Sequence, residues 1–198
     1  MTEKAGDAVH NTQVLMTPAG ELLAVHRKLA KKDPVFAPGR RLLTTADVDD
    51  VRVAVIICSD VDDFRVLRAI RRARVDVVLA SLSDKGTELT IARIVGCLFD
   101  AWSLTANRFG QEGTAFWPGL ITVADPVGRV RQHAVGKEHI LFETLRIGSN
   151  RAHVRVVRRF VAGARLFGLS VVLIGQVAVR RLARPQRRGL LTPNIRSA

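Results

Sequence analysis

Covalent chemistry in this chain would start at a thiol and a nearby amine. Cys58 ends the run 51–58 (VRVAVIIC), which is β-branched and almost wholly apolar. Such a run predicts a strand buried on both faces. The polar stretch SDVDD follows, and then apolar residues at 64, 66, 67, 70 and 73, a spacing that predicts a helix capped by Asp62 or Asp63. A thiol at that junction sits at the carboxyl edge of a sheet. The turn and helix N-terminus after it would present N–H donors to a thiolate or an oxyanion. Lys28 follows a second predicted strand, 21–26 (ELLAVH), and opens the basic loop 27–41. An ammonium beside a thiol stabilises oxyanion charge and favours the thiolate. Taken singly, a cysteine in an apolar strand is more often core, and a loop lysine is more often solvated.

Other chemistries find less support. His10, His26, His133, His139 and His153 have no metal-ligand spacing, and no CxxC, HExxH or phosphate-loop pattern is present. Gly110 and Gly113 lie between two predicted strands with no helix after them, which argues against a phosphate cradle. No metal or nucleotide cofactor is therefore expected. With only Cys58 and Cys97, both thiols are expected to be free in a reducing, cytoplasmic setting. The polar N-terminal stretch carries no apolar signal-like segment.

The elements that must position Cys58 and Lys28 read as alternating strands and helices. A hairpin is predicted over 11–16 and 21–26 across the turn Thr17-Pro18-Ala19-Gly20. Strand 51–58, helix 64–74 and strand 75–80 form a βαβ unit, hence an α/β sheet. A helix over 87–100, a strand over 102–106, a loop over 107–119, a hairpin over 120–134 and a last strand over 138–145 complete the pattern. At 47% hydrophobic and 25% charged, the 198 residues can build a sizeable core and are not a disordered chain. The net charge of +13 is uneven. Residues 1–150 net +2, whereas residues 151–198 hold 11 Arg, no Lys and no acid. A domain over 1–150 and an Arg-rich, partly apolar tail over 151–198 are expected.

Several short segments, in order, resemble the carbon–nitrogen hydrolase (nitrilase/amidase) superfamily. They are His26-Arg27-Lys28-Leu29, Phe36-Ala37-Pro38-Gly39, Ile56-Ile57-Cys58-Ser59-Asp60, Thr105-Ala106-Asn107-Arg108-Phe109-Gly110, Phe116-Trp117-Pro118-Gly119 and Asp125-Pro126-Val127-Gly128. Together they span about residues 11–145. The resemblance implies an α/β fold, the nitrilase-like α-β-β-α sandwich, here N-terminally truncated and followed by a basic C-terminal helical tail. It implies Cys58 as nucleophile, Lys28 as oxyanion partner and Asp33 as an auxiliary acid one methylene shorter than the family's glutamate. The implied reaction is hydrolysis of an amide or nitrile through a cysteine thioester. The family's general-base glutamate belongs upstream of the hairpin, where only ten residues stand; Glu3 lies among them without a predicted strand and is not given that role. Arg65 stands near where the family carries an acid after the nucleophile, and the Glu-Asn pair expected around Cys97 is absent. Loss of general-base help typically costs ~10²–10⁴-fold in rate. The competing expectation is a non-catalytic remnant of the fold acting as a binding or scaffold protein.

A sandwich lacking part of one side exposes apolar surface and strand edges, so a homo-oligomer or a partner chain completing the fold is expected. In the tail, Arg155, Arg158 and Arg159 would share one helical face, and 166–179 is an uncharged run of 14 residues. That run is shorter than a bilayer span of ~20 residues. Peripheral attachment to an anionic membrane is the partner expected of the tail beyond simple solvation. Nucleic acid ranks lower, because aromatic residues are sparse there and no reader fold is recognisable.

Overall fold

The computed structural model describes residues 1–29, 35–137 and 139–148. Asp33 and the tail 151–198 therefore lie outside the described residues. Eleven strands and two α-helices are described. β1 (Thr2–Ala5), β2 (Ala8–Met16) and β3 (Leu22–Arg27) form an antiparallel three-stranded sheet in that order. β4 (Thr44–Val48), β5 (Val51–Ile57), β6 (Val77–Leu82), β7 (Trp102–Asn107), β10 (Ile121–Ala124) and β11 (Val130–Ala134) form a six-stranded sheet. Its order is β11-β10-β7-β6-β5-β4, with β5, β6 and β7 parallel at its centre. The crossovers are α1 (Phe64–Ala73) and α2 (Glu88–Phe99).

The period-2 alternation of the central strands builds two cores. Ala54, Ile56, Val78, Ala80 and Leu82 face the helices and pack with Val66, Ile70 and Val95. Val53, Val77, Trp102 and Val123 face the other way, where Leu15 of β2 packs on them. Helices, six-stranded sheet and three-stranded sheet are thus three successive layers of a nitrilase-like sandwich. Both crossover helices end on a left-handed residue, Arg74 (φ 51°) and Asp100 (φ 55°), which turns the chain back into the next strand.

Three expectations need correction. Residues 107–119 are not a plain loop. β8 (Phe109–Glu112) and β9 (Ala115–Pro118) pair as a hairpin, turned at Gly113 (φ 55°) and stiffened by the edge-to-face rings of Phe109 and Phe116, 6.3 Å apart. Residues 139–145 form no strand. They lead into a strap, with Leu145 and Ile147 on the inter-sheet core and Trp102 Nε1 donating to the Arg146 carbonyl at 3.3 Å. Glu3 does lie in a strand, because β1 pairs with β2 and the Glu3 carboxylate finds Arg27 and Thr12 on the neighbouring strands. The turn expected between Cys58 and the helix is present. It is a 3-10 turn, Cys58–Asp62, and α1 starts at Phe64 with Asp63 as its cap.

Candidate active site

Cys58 is the first residue after β5. It has φ 46°, in the left-handed region that non-glycine residues rarely enter. Such strain persists only where surrounding bonds enforce it. Here the enforcing group is Asp60, 1% exposed, two residues further on. Its Oδ2 accepts the Ile57 N–H (2.9 Å) and the His26 Nε2 (2.8 Å), and its Oδ1 accepts the Leu29 N–H (3.0 Å). One buried carboxylate therefore ties the residue before Cys58 to the residues on either side of Lys28. His26 is itself 1% exposed, and its Nδ1 meets Thr44 Oγ1 at 3.1 Å on β4.

Lys28 leaves β3 with its backbone fixed on both sides. Its N–H donates to the Asn11 carbonyl (2.9 Å) and its carbonyl accepts from Gly39 N–H (2.7 Å). Gly39 closes the basic loop by close approach. A Cβ there would lie 2.1 Å from the Arg27 carbonyl oxygen, so only glycine fits. Leu29 and Cys58 both pack at the margin of the helix-side core, and both Lys28 and Cys58 are half-buried. The loop that carries Lys28 and the turn that carries Cys58 meet at one carboxylate.

The surroundings define what else could act there. The N–H groups opening α1 are not aimed at Cys58. Asp63 caps them, bonding Arg65 N–H (2.9 Å), and the Arg65 guanidinium holds the Asp63 carboxyl down at about 2. Glu3 is likewise engaged. The Arg27 guanidinium, with Thr12, lowers its carboxyl to about 2, so it is ionised but committed. A shallow depression of about 180 Å³ beside the end of β5 is lined by Asn11, Gln13, Ile57 and Ser81, with Gln13 Oε1 unpartnered. A wider groove of about 1000 Å³ lies between the three-stranded sheet and the 37–45 segment, and neither Cys58 nor Lys28 lines it. Among the described residues no cluster of three metal-ligating side chains occurs. No described helix is long and apolar enough to cross a membrane.

Asp60 and His26 are the members of this site that motif reading left without a role. Both stood inside the quoted segments, at Cys58+2 and Lys28−2. Neither spacing reveals that the two side chains meet across 34 residues of chain.

The sequence profile of the Carbon-nitrogen hydrolase family matches residues 1–145. The chain belongs to that family. No curated protein matches the sequence. Among solved structures, the glutamine-dependent NAD+ synthetase of Acinetobacter baumannii is similar over 70% of this chain and 29% of its own (TM-score 0.61, 18% identity). The amidase of Nesterenkonia sp. AN1 is similar over 66% of this chain and 53% of its own (TM-score 0.56, 22% identity). The described chain thus spans about half the length of that amidase. A variant of the same amidase, 22% identical and matching 66% of this chain and 52% of its own at TM-score 0.56, carries the acetamide moiety of fluoroacetamide on its active-site cysteine. At these identities the likeness is one of fold.

Proposed function

We propose that this chain hydrolyses a non-peptide carbon–nitrogen bond, in an amide or nitrile, through a thioester on Cys58. The observation that carries the proposal is the Asp60 carboxylate. It binds Ile57, His26 and Leu29, which stand beside Cys58 and Lys28 in the chain, and this supports a joint role for the thiol and the ammonium. With an amide, the Cys58 sulfur attacks the carbonyl carbon and Lys28 stabilises the oxyanion. The C–N bond breaks, the amine leaves with the thiol's proton, and water cleaves the thioester to release the acid and regenerate the thiol. The proton acceptor is supplied in trans, since Asp60 is bonded to His26 and two N–H donors and Glu3 to Arg27 and Thr12. Asp33 is the auxiliary acid of this scheme.

The test is a panel of small amides and nitriles, paired with mass spectrometry of the protein. Turnover, an acyl adduct on Cys58 and loss of both in Cys58→Ala support the proposal. So does alkylation of Cys58 by iodoacetamide well ahead of Cys97, slowed in Lys28→Ala. A second reading, a non-catalytic partner-binding domain, is favoured by the commitment of Glu3 to Arg27 and of Asp60 to His26. No turnover, with Cys58 and Cys97 alkylated at equal slow rates, would establish it instead. Under either reading, completion of the sandwich by a second copy or another chain is part of the proposal, and sedimentation of the full chain measures it.

A further inference from the structure

The helix next to the candidate site carries a feature its chemistry does not use. α1 buries Val66 and Ile70 against the sheet. With 3.6 residues per turn, Phe64, Arg65, Arg68, Arg71 and Arg72 fall within an arc of roughly 120° on the opposite side. All five are exposed, Phe64 at 72%. Arg65 is held by Asp63 (2.6 Å) and Arg71 reaches the Leu98 carbonyl (3.2 Å), which fixes both along the helix surface. Arg68 and Arg72 have no ion-pair partner among the described residues, and neither does Arg74, exposed at the helix end. No carboxylate falls within the arc.

Four guanidinium groups, one of them paired with Asp63, beside one exposed aromatic ring on a helix whose apolar side is already buried form a face for a polyanionic surface. Two chemistries could present one, a bilayer of anionic phospholipid or a nucleic acid. Phe64 favours the bilayer. A ring left in water at the N-terminal end of a cationic face gains by entering the boundary between headgroups and acyl chains, while the arginines beside it bind phosphates. The chain's composition points the same way. Beyond residue 150 it adds 11 Arg, no acid and the uncharged 14-residue run 166–179. We propose that the outer face of α1 docks this protein on anionic phospholipid, with Phe64 inserted and Arg68 and Arg72 on headgroup phosphates. This docking is independent of whether Cys58 is catalytic.

The test is co-sedimentation of the full chain with vesicles of phosphatidylcholine, with and without phosphatidylserine. Arg68→Gln/Arg72→Gln and Phe64→Ser are compared with wild type, and unchanged circular dichroism and melting confirm that each variant is folded. Wild type binds only the vesicles containing phosphatidylserine, and salt weakens the binding. Each cation at an anionic bilayer is worth about fivefold in partitioning, so the double variant binds roughly 25-fold more weakly with residues 151–198 intact. Phe64→Ser weakens vesicle binding and leaves binding to a duplex DNA fragment unchanged. The proposal is overturned if wild type ignores phosphatidylserine, or if the double variant binds vesicles as wild type does. It is also overturned if Phe64→Ser has no effect on vesicles, or if the arginine substitutions change only DNA binding or only the oligomeric state.

Discussion

Asp60 concentrates more of the site's geometry than Cys58 or Lys28 does. Its two oxygens accept from one imidazole nitrogen and two backbone N–H groups in a region closed to water. Leaving a buried donor unsatisfied typically costs about 1–3 kcal/mol, and Asp60→Ala strands up to three of them, so it is expected to lose several-fold that order of stability in urea unfolding. Asp60→Asn is the sharper probe. Its amide has one acceptor oxygen, so an N–H donor of the protein then faces the –NH2. It is expected to stay folded at reduced stability and to remove any difference in alkylation rate between Cys58 and Cys97. Glu88 is the contrasting case. It is fully buried in the first turn of α2, where desolvation pushes its carboxyl up despite the hydroxyl of Thr105. Because the folded protein holds this proton more tightly than the unfolded chain, the favourable contribution is complete below the unfolded value near 4.5. It fades as pH rises through the higher folded value. Glu88→Gln is expected to flatten that decline in melting temperature between acid and neutral pH, and an unchanged slope would contradict the assignment.

At the scale of elements, the central βαβ unit was legible because its strands are continuous apolar runs and its helix has a clean 3.6-residue spacing. Strand Val51–Ile57 and helix Phe64–Ala73 fall within a residue of where periodicity puts them. What the pattern could not show was decided by contacts between distant residues. The β8–β9 hairpin reads as a glycine-rich loop because its strands hold four residues each and its stabilising rings, Phe109 and Phe116, face each other only once it is closed. The first strand looks polar and unstructured until Arg27 and Thr12 collect the Glu3 carboxylate. Likewise Cys58 and Lys28 were visible as motif positions, while the Asp60–His26 bridge between them depends on the packing of two sheets. Two element-scale outcomes follow. Ile70 is fully buried between α1 and the sheet, so Ile70→Ala is expected to destabilise by about 2–5 kcal/mol in denaturant unfolding. The Glu3–Arg27 pair stabilises the three-stranded sheet at neutral pH. Because the folded carboxyl titrates at about 2, that support is expected to be lost only as pH falls from near 4.5 toward 2. Glu3→Gln should remove this acid-dependent step from the melting profile.

Among the described residues, three layers are held by two cores that meet at the six-stranded sheet, and the strap carrying Leu145 and Ile147 lies on the inter-sheet core. Trp102 occupies that core at 8% exposure, with its indole N–H bonded to the strap at Arg146. The other tryptophan, Trp117, sits in the hairpin between Lys85 and Arg108, with its ring 5.0 Å and 5.4 Å from the two cations. The molecule therefore carries two intrinsic fluorophores in unlike surroundings, one dry and one among cations. In a Trp117→Phe background, the remaining emission should be blue-shifted. Substituting Leu145 and Ile147 by serine should move it to the red without unfolding the sheet, giving an optical readout of when this stretch of polypeptide peels away from the indole.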